Sequence, residues 1–189
     1  MIVIRTIEEL ESERERQRKV WIESGKEEDE FYLMLEGADL SSGNLKKVDL
    51  EGAIINSANL TRANLKWANL IRGIFRWSNF EGADLYRANM FDSCLICANL
   101  SKSNLSHALL WKADLMGANM RGASLYGARL MVADLSRADL RGANIIGTNF
   151  AGAKIKDTII TQSQYGELAD VYSQKFMSGF IIKELEVAR

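Results

Sequence analysis

The sequence predicts an all-β rod whose chain turns a corner every five residues, coils back on itself and carries a short helix at each end. Three observations support this. Every position divisible by five from Leu35 to Ile160 is Leu, Ile, Phe or Met, 26 positions without a slip of register. Two residues before each stands a small residue, usually Ala (Ala38, Ala58, Ala118, Ala138), with Leu33 the one large exception, and the residue between is usually Asn or Asp. The chain has no proline, which suits backbone that is almost wholly paired, because proline cannot donate a ladder hydrogen bond.

The first element is a helix near residues 7–23. In "TIEELESERERQRKVWIESG" Thr6 and Glu9 have the spacing of a capping box, and Gly25 closes the run. Its middle is almost purely Glu and Arg and reads as a solvated surface, which leaves Ile7, Leu10, Trp21 and Ile22 at its ends to dock. A stack of strands leaves a bare sheet edge at each end, a template for aggregation unless covered. Covering that edge is the role expected of this helix. "FYLML" then leads into the first side of the coil.

Neither regular element buries a five-residue period. A helix advances about 100° per residue, so the next Leu lies about 140° round the axis and no apolar face forms. On a straight strand, odd spacing puts successive Leu on opposite faces. A corner every five residues resolves both difficulties. The large residue and the small one two before it then share parity and point inward, while the Asn or Asp between them and the residue after point outward. The corner takes the glycines, among them Gly52, Gly82, Gly117, Gly122, Gly127 and Gly142. Each fully buried Leu contributes about 1.5–3 kcal/mol, and in a stack such terms accumulate between neighbouring coils.

Over roughly residues 33–162 these units, at their most regular in "ADLSRADLRGANI" (133–145), resemble the pentapeptide-repeat family, whose motif is A(D/N)LXX. The resemblance implies a right-handed quadrilateral parallel β-helix with one pentapeptide per side; period five alone also allows three sides. With four sides, residues 20 apart stack in columns and 26 units make about six and a half coils, a rod roughly 30 Å long at ~4.8 Å per coil. Three units follow: a charged N-terminal helix or cap (1–30), the repeat coil (31–162) and a C-terminal amphipathic helix or cap (163–189).

In the last unit Tyr165, Leu168, Tyr172, Phe176, Phe180 and Leu185 recur at helical spacing, which predicts an amphipathic helix near residues 166–186 with Gly179 as its candidate break. Two roles stay open. One is an end cap. The other is a dimer contact through Leu168, Tyr172, Phe176, Phe180 and Leu185, since C-terminal elements join two rods in some members of the resembled family.

Composition and motifs exclude more than they assign. Charge is nearly balanced, 24 basic against 25 acidic residues. No run approaches the ~18 apolar residues of a membrane span, and only four apolar residues precede the first charge, so a cytoplasmic protein without membrane contact is expected. Cys94 and Cys97 stand about 10 Å apart in this register, beyond the ~7 Å reach of a disulfide, and no further Cys accompanies them. No metal or cofactor is expected. His107, the single His, falls at a corner between Arg87 and Gly127 with no nucleophile or carboxylate aimed at it, and the carboxylates are mostly the motif's own Asp. The protein therefore reads as non-enzymatic, with no catalytic residue. Some members of the resembled family bind DNA gyrase by imitating duplex DNA, which requires an acidic rod. Residues 36–160 instead hold 15 Lys/Arg against 11 Asp/Glu, a net +4, and the acidity sits in the first 35 residues. That disfavours a mimic, and a scattered +4 is too weak to argue for direct nucleic-acid binding.

The departures from the motif are concentrated. Two outward columns keep the Asn/Asp rule from Asp39 to Asp139 and from Asn44 to Asn144, with Ser124 the one departure. The other two collect Leu109 and Arg129, then Ile54, Ile74, Cys94 and Lys154. Ile71, Phe91, Trp111 and Met131, each 20 apart, follow the large residue on one of these sides, and Ile96 and Met116 flank them across the corner. An apolar stripe of this size on a polar rod marks a contact surface. The terminal helices, an unknown protein partner or a second copy of the chain are the candidates to cover it.

Overall fold

The computed structural model describes residues 1–27, 31–169, 172 and 174–183. Parallel bridges join residues 20 apart in four columns. One runs Asp39–Asn59–Asn79–Asn99–Asn119–Asp139–Ile159, and the others contain Asn44, Asp49 and Met34. The chain thus returns to each side after four pentapeptides. Each corner is a turn closed by a backbone bond from the small residue to the preceding large one, as in Ala38 N–H to Leu35 C=O at 3.1 Å. The second corner residue has positive φ from Gly37 to Asp157, and 16 of these residues are not glycine. Only glycine adopts that conformation without cost, which is why it recurs there.

Inside, the large and small residues form one continuous core. Phe80, Leu100 and Met120 are stacked and fully buried, as are Ala58, Ala98 and Ala118. Departures from Ala at the small position have local causes. A Cβ on Gly73 would lie 2.4 Å from the Phe75 ring, so the bulkier Phe is accommodated by the missing methyl. Ser103 and Thr148 return their buried hydroxyls to the Leu100 and Leu125 carbonyls at 2.7 Å, as buried polar groups require.

The N-terminal end is closed by more than a helix. Residues 2–5 lie along the first coil as an added strand: Ile4 N–H bonds the Asp39 carbonyl at 2.9 Å, Asp39 N–H the Ile2 carbonyl at 2.8 Å and Asn44 N–H the Arg5 carbonyl at 2.7 Å. Helix α1 (Ile7–Glu23) follows, with the capping box of Thr6 and Glu9 formed. Leu10 is fully buried, but Ile22 is exposed. The polar middle of α1, read from sequence as solvated, covers the remaining edge. The Gln17 amide pairs with both backbone groups of Met34, at 2.9 and 2.7 Å, and the Arg14 guanidinium bonds the Asp49 carbonyl. A sheet edge needs donors and acceptors, and polar side chains supply them where leucines cannot.

The C-terminal end corrects the single helix expected over 166–186. Strand β1 (Thr158–Ile160) leads into helix α2 (Gln162–Ala169), then helix α3 (Gln174–Met177) and strand β2 (Phe180–Ile182). β2 pairs parallel with β1, Ile159 opposite Ile181. The expected helix already ends at Ala169, and after α3 the chain passes Gly179, where a Cβ would lie 2.8 Å from the Ile155 side chain. Beyond that close approach the edge of β1 takes the chain as a strand. Gln164, buried, donates to the Leu140 and Ala143 carbonyls at 2.7 and 2.9 Å, and the Tyr172 hydroxyl accepts from Phe150 N–H at 2.9 Å. Both ends therefore use one added strand plus side-chain surrogates.

Candidate interaction surface

The outward Asn and Asp residues do two jobs in this structure. Asn99 accepts the Ser101 N–H at 3.2 Å, holding the next corner, and donates to Asn79 one coil away at 2.9 Å. The same pair of bonds recurs at Asn119, to Arg121 N–H and to Asn99. Burial raises the Asp139 pKa, but hydrogen bonds from Arg141 and the charges of Arg141 and Arg121 outweigh it, so the carboxyl is held below its ordinary range. These columns are a polar ladder, and the fold gains from it directly.

The two motif-breaking sides keep that ladder only in part: the N–H groups of Ile71, Phe91 and Met116 still bond Asn69, Asn89 and Asp114 at 3.3, 3.2 and 3.1 Å, and the departures interrupt it. Leu109, 37% exposed, has no acceptor to offer the Trp111 N–H. At Ile74 the lost acceptor is replaced from the coil above, Arg76 N–H bonding the Asn56 side chain at 3.0 Å. Trp111 is 44% exposed and meets Phe91 edge-on, ring centroids 5.7 Å apart. Met116 is 39% exposed, while Ile54, Ile71, Ile74, Phe91, Ile96 and Met131 are half-buried. Phe31 and Tyr32 stand beside Ile54 and Ile74 around a cavity of about 440 Å³. The register thus brings the expected residues along one flank of the rod.

At the C-terminal end Leu168 is buried, and Tyr172, Phe176 and Phe180 form an aromatic chain with centroid separations of 4.6 and 5.7 Å. Leu185 lies outside the described residues. Ile181 and Ile182 remain about two-fifths exposed. Cys94 accepts from Arg76 Nε at 3.2 Å, and Cys97 stands exposed at a positive-φ corner. No helix among the described residues is long and apolar enough to cross a membrane.

One feature escaped sequence reasoning. Trp67, Tyr86, His107 and Tyr126 form a continuous ladder along another corner edge, with centroids 5.7, 5.8 and 5.4 Å apart. They alternate between the two corner positions, so neither column read alone shows them. Reading both corner positions together, at a period of 20, exposes the pattern in the sequence.

These columns, corners and end caps define a class, the stacked-pentapeptide rods whose lateral surfaces are long rows of outward side chains. The family model described as pentapeptide repeats matches in eight copies, over residues 35–70, 58–95, 98–131 and 133–164, and the chain belongs to that family. Among solved structures it is similar to Rfr23, a pentapeptide repeat protein from the cyanobacterium Cyanothece 51142, with 28% identity, TM-score 0.55, and 58% of this chain and 86% of that chain covered. It is also similar to HetL, a pentapeptide repeat protein involved in heterocyst differentiation regulation from the cyanobacterium Nostoc sp. strain PCC 7120, with 33% identity, TM-score 0.46, and 67% and 63% covered. QnrB1, a plasmid-mediated fluoroquinolone resistance protein, matches at 21% identity and TM-score 0.36 with 71% of each chain covered. Comparison with curated proteins gives no significant match.

Proposed function

We propose that this chain is a non-enzymatic interaction scaffold of the cytoplasm, a right-handed β-helix of about six and a half coils between two caps. It binds a protein partner or a second copy of itself through the stripe of Ile54, Ile71, Ile74, Phe91, Ile96, Leu109, Trp111, Met116 and Met131. The observation that carries this reading is that most departures from the Asn/Asp ladder fall on one flank, at Ile54, Ile74, Cys94, Leu109, Arg129 and Lys154. Each corner hydrogen bond is worth about 0.5–1.5 kcal/mol net. At Ile54 and Leu109 the side chain cannot supply it, at Ile74 the acceptor comes from Asn56 instead, and all three place apolar groups outward, with half-exposed Trp111 mid-rod. A fold under selection for stability alone gains nothing by this, and a contact surface does. Large aromatics at the centre of such a patch carry most of its binding energy.

Sedimentation velocity across a concentration series, alongside affinity capture from the native host, tests the reading with wild type and Trp111→Glu. The variant is expected to stay folded and to lose both self-association and the captured partner. Full retention of both in a folded variant refutes the stripe. A second mode of self-association, through the C-terminal end, is favoured by exposed Ile181 and Ile182 on the terminal strand. Loss of dimer in Ile182→Lys but not in Trp111→Glu identifies that mode. The DNA-mimic reading gains no support from the rod, whose residues 36–160 carry a net +4.

A further inference from the structure

The corner edge carrying the aromatic ladder is chemically unlike the other three. Its positions 46, 47, 66, 67, 86, 87, 106, 107, 126, 127, 146 and 147 include Lys46, Lys47, Lys66 and Arg87 and no Asp or Glu. Each of the other edges holds at least one acid, for example Glu81, Asp92 and Asp157. The Lys46 ammonium lies 4.9 Å from the Trp67 ring centre and the Arg87 guanidinium 5.3 Å from that of Tyr86. Lys66 is paired with Asp84 at 2.9 Å, whereas Lys47, Arg87 and Arg129 make no ion pair among the described residues. Between Arg87 and Arg129 lies a shallow cavity of about 460 Å³, lined also by Trp67, His107, Leu109 and Gly127.

We propose that this edge docks an acidic segment of a partner protein in polyproline II conformation. Charge complementarity supports it first, since unpaired cations border a row with no carboxylate. Spacing supports it second. Down the positive-φ column the residues read Lys47, Trp67, Arg87, His107, so the cations stand two coils apart, about 10 Å. A polyproline II peptide rises about 3.1 Å per residue with three residues per turn, so carboxylates at every third position share one face and fall about 9 Å apart, near the spacing of the cations. A second copy of this rod offers no such row: Asp114 and Asp134 stand one coil apart and Asp134 is paired with Lys154 at 3.3 Å. A single-stranded nucleic acid fits less well, because base stacking needs free parallel ring faces and these rings meet each other at 87–89°. This surface is distinct from the apolar stripe and shares only Leu109 with it.

The test uses fluorescence anisotropy with a labelled peptide bearing Glu at every third position, its Gln counterpart and a labelled oligothymidine. The variant is Lys47→Gly with Arg87→Gly. Both residues sit at positive φ, and glycine already occupies that position two and three coils beyond Arg87, at Gly127 and Gly147, so the fold is expected to hold, as a melting curve checks. Arg129→Gln is a second variant. The Glu peptide is expected to bind wild type and Trp111→Glu equally, to weaken as salt rises, and to bind the double Gly variant at least about tenfold more weakly. The Gln peptide is expected not to bind. Absence of Glu-peptide binding, equal affinity for the cation-deleted variants, loss of binding in Trp111→Glu, or tighter binding of the oligothymidine would each overturn the proposal. Because Trp111→Glu is silent here and decisive for the stripe, failure of one surface is distinguishable from failure of the other.

Discussion

Replacing Gln17 by Ala removes the two hydrogen bonds, 2.9 and 2.7 Å, by which α1 completes the exposed edge at Met34. An intramolecular hydrogen bond contributes about 0.5–1.5 kcal/mol net. Water reaches this pair, so the lower half of that range applies, and the small gain in helix propensity from Ala offsets a few tenths. The expected loss is about 0.7–1.7 kcal/mol, a fall in Tm of roughly 1–7 °C for a chain of this size. Gln17→Glu sharpens the test, being nearly isosteric. Its carboxylate still accepts from Met34 N–H but faces the Met34 carbonyl, and Glu13, now bonded to Gln17 at 2.7 Å, becomes a like-charged neighbour. That variant is expected to melt below Gln17→Ala at pH 7 and to recover in acid, where the protonated carboxyl donates as the amide did. Circular dichroism melts at pH 7 and 4, with hydrogen exchange at the amides of the first coil, report both effects. If Gln17→Ala melts with wild type and leaves those amides protected, α1 does not close the edge through this residue.

Two further outcomes follow from the same geometry. Leu100→Asp puts an unpaired carboxyl between Phe80 and Met120 in the fully buried column and is expected to abolish the cooperative melt, while Asn99→Asp, on the outward ladder, changes Tm by only a few degrees; equal tolerance of both would refute the register. Ser41 hydrogen bonds, from side chain and backbone N–H, and then Arg5 lower the Asp39 carboxyl to about 2. The folded pKa lies below the unfolded value of about 3.9, so this contribution is complete above about pH 4 and is lost as pH falls through about 2. Asp39→Asn should flatten the acid limb of a Tm–pH curve in that window, and an unchanged limb would contradict the assignment.

The rod was legible from Leu35 to Ile160 because burial of one large residue per corner is a one-dimensional rule, written identically in every unit. The ends were less so, since what closes a sheet edge is hydrogen-bonding capacity, and Arg14 and Gln17 look like any solvated helix face until the edge they meet is known. Ile2 to Arg5 carry too little pattern to announce a strand, and they become one only because Asp39 and Asn44 present unpaired backbone. The aromatic spacing from Tyr165 to Phe180 imitated a helix. The helix instead ends at Ala169, and the close approach of Gly179 to Ile155, which precedes β2, is tertiary and leaves no periodic trace. The stripe could be read because it violates a rule, whereas the Trp67–Tyr126 ladder breaks none and emerges only when two corner columns are interleaved.

The central claim is that the flank around Trp111 is a contact surface and not a tolerated lapse in the repeat. Hydroxyl-radical footprinting with mass spectrometry reads it most directly, comparing the chain diluted to monomer with the chain at associating concentration or bound to its captured partner. The account predicts lower modification of Trp111, Phe91, Met116 and Met131 in the associated state, with Tyr126 on another edge unchanged. Equal modification of Trp111 in both states, in a sample shown to be associated, would contradict it.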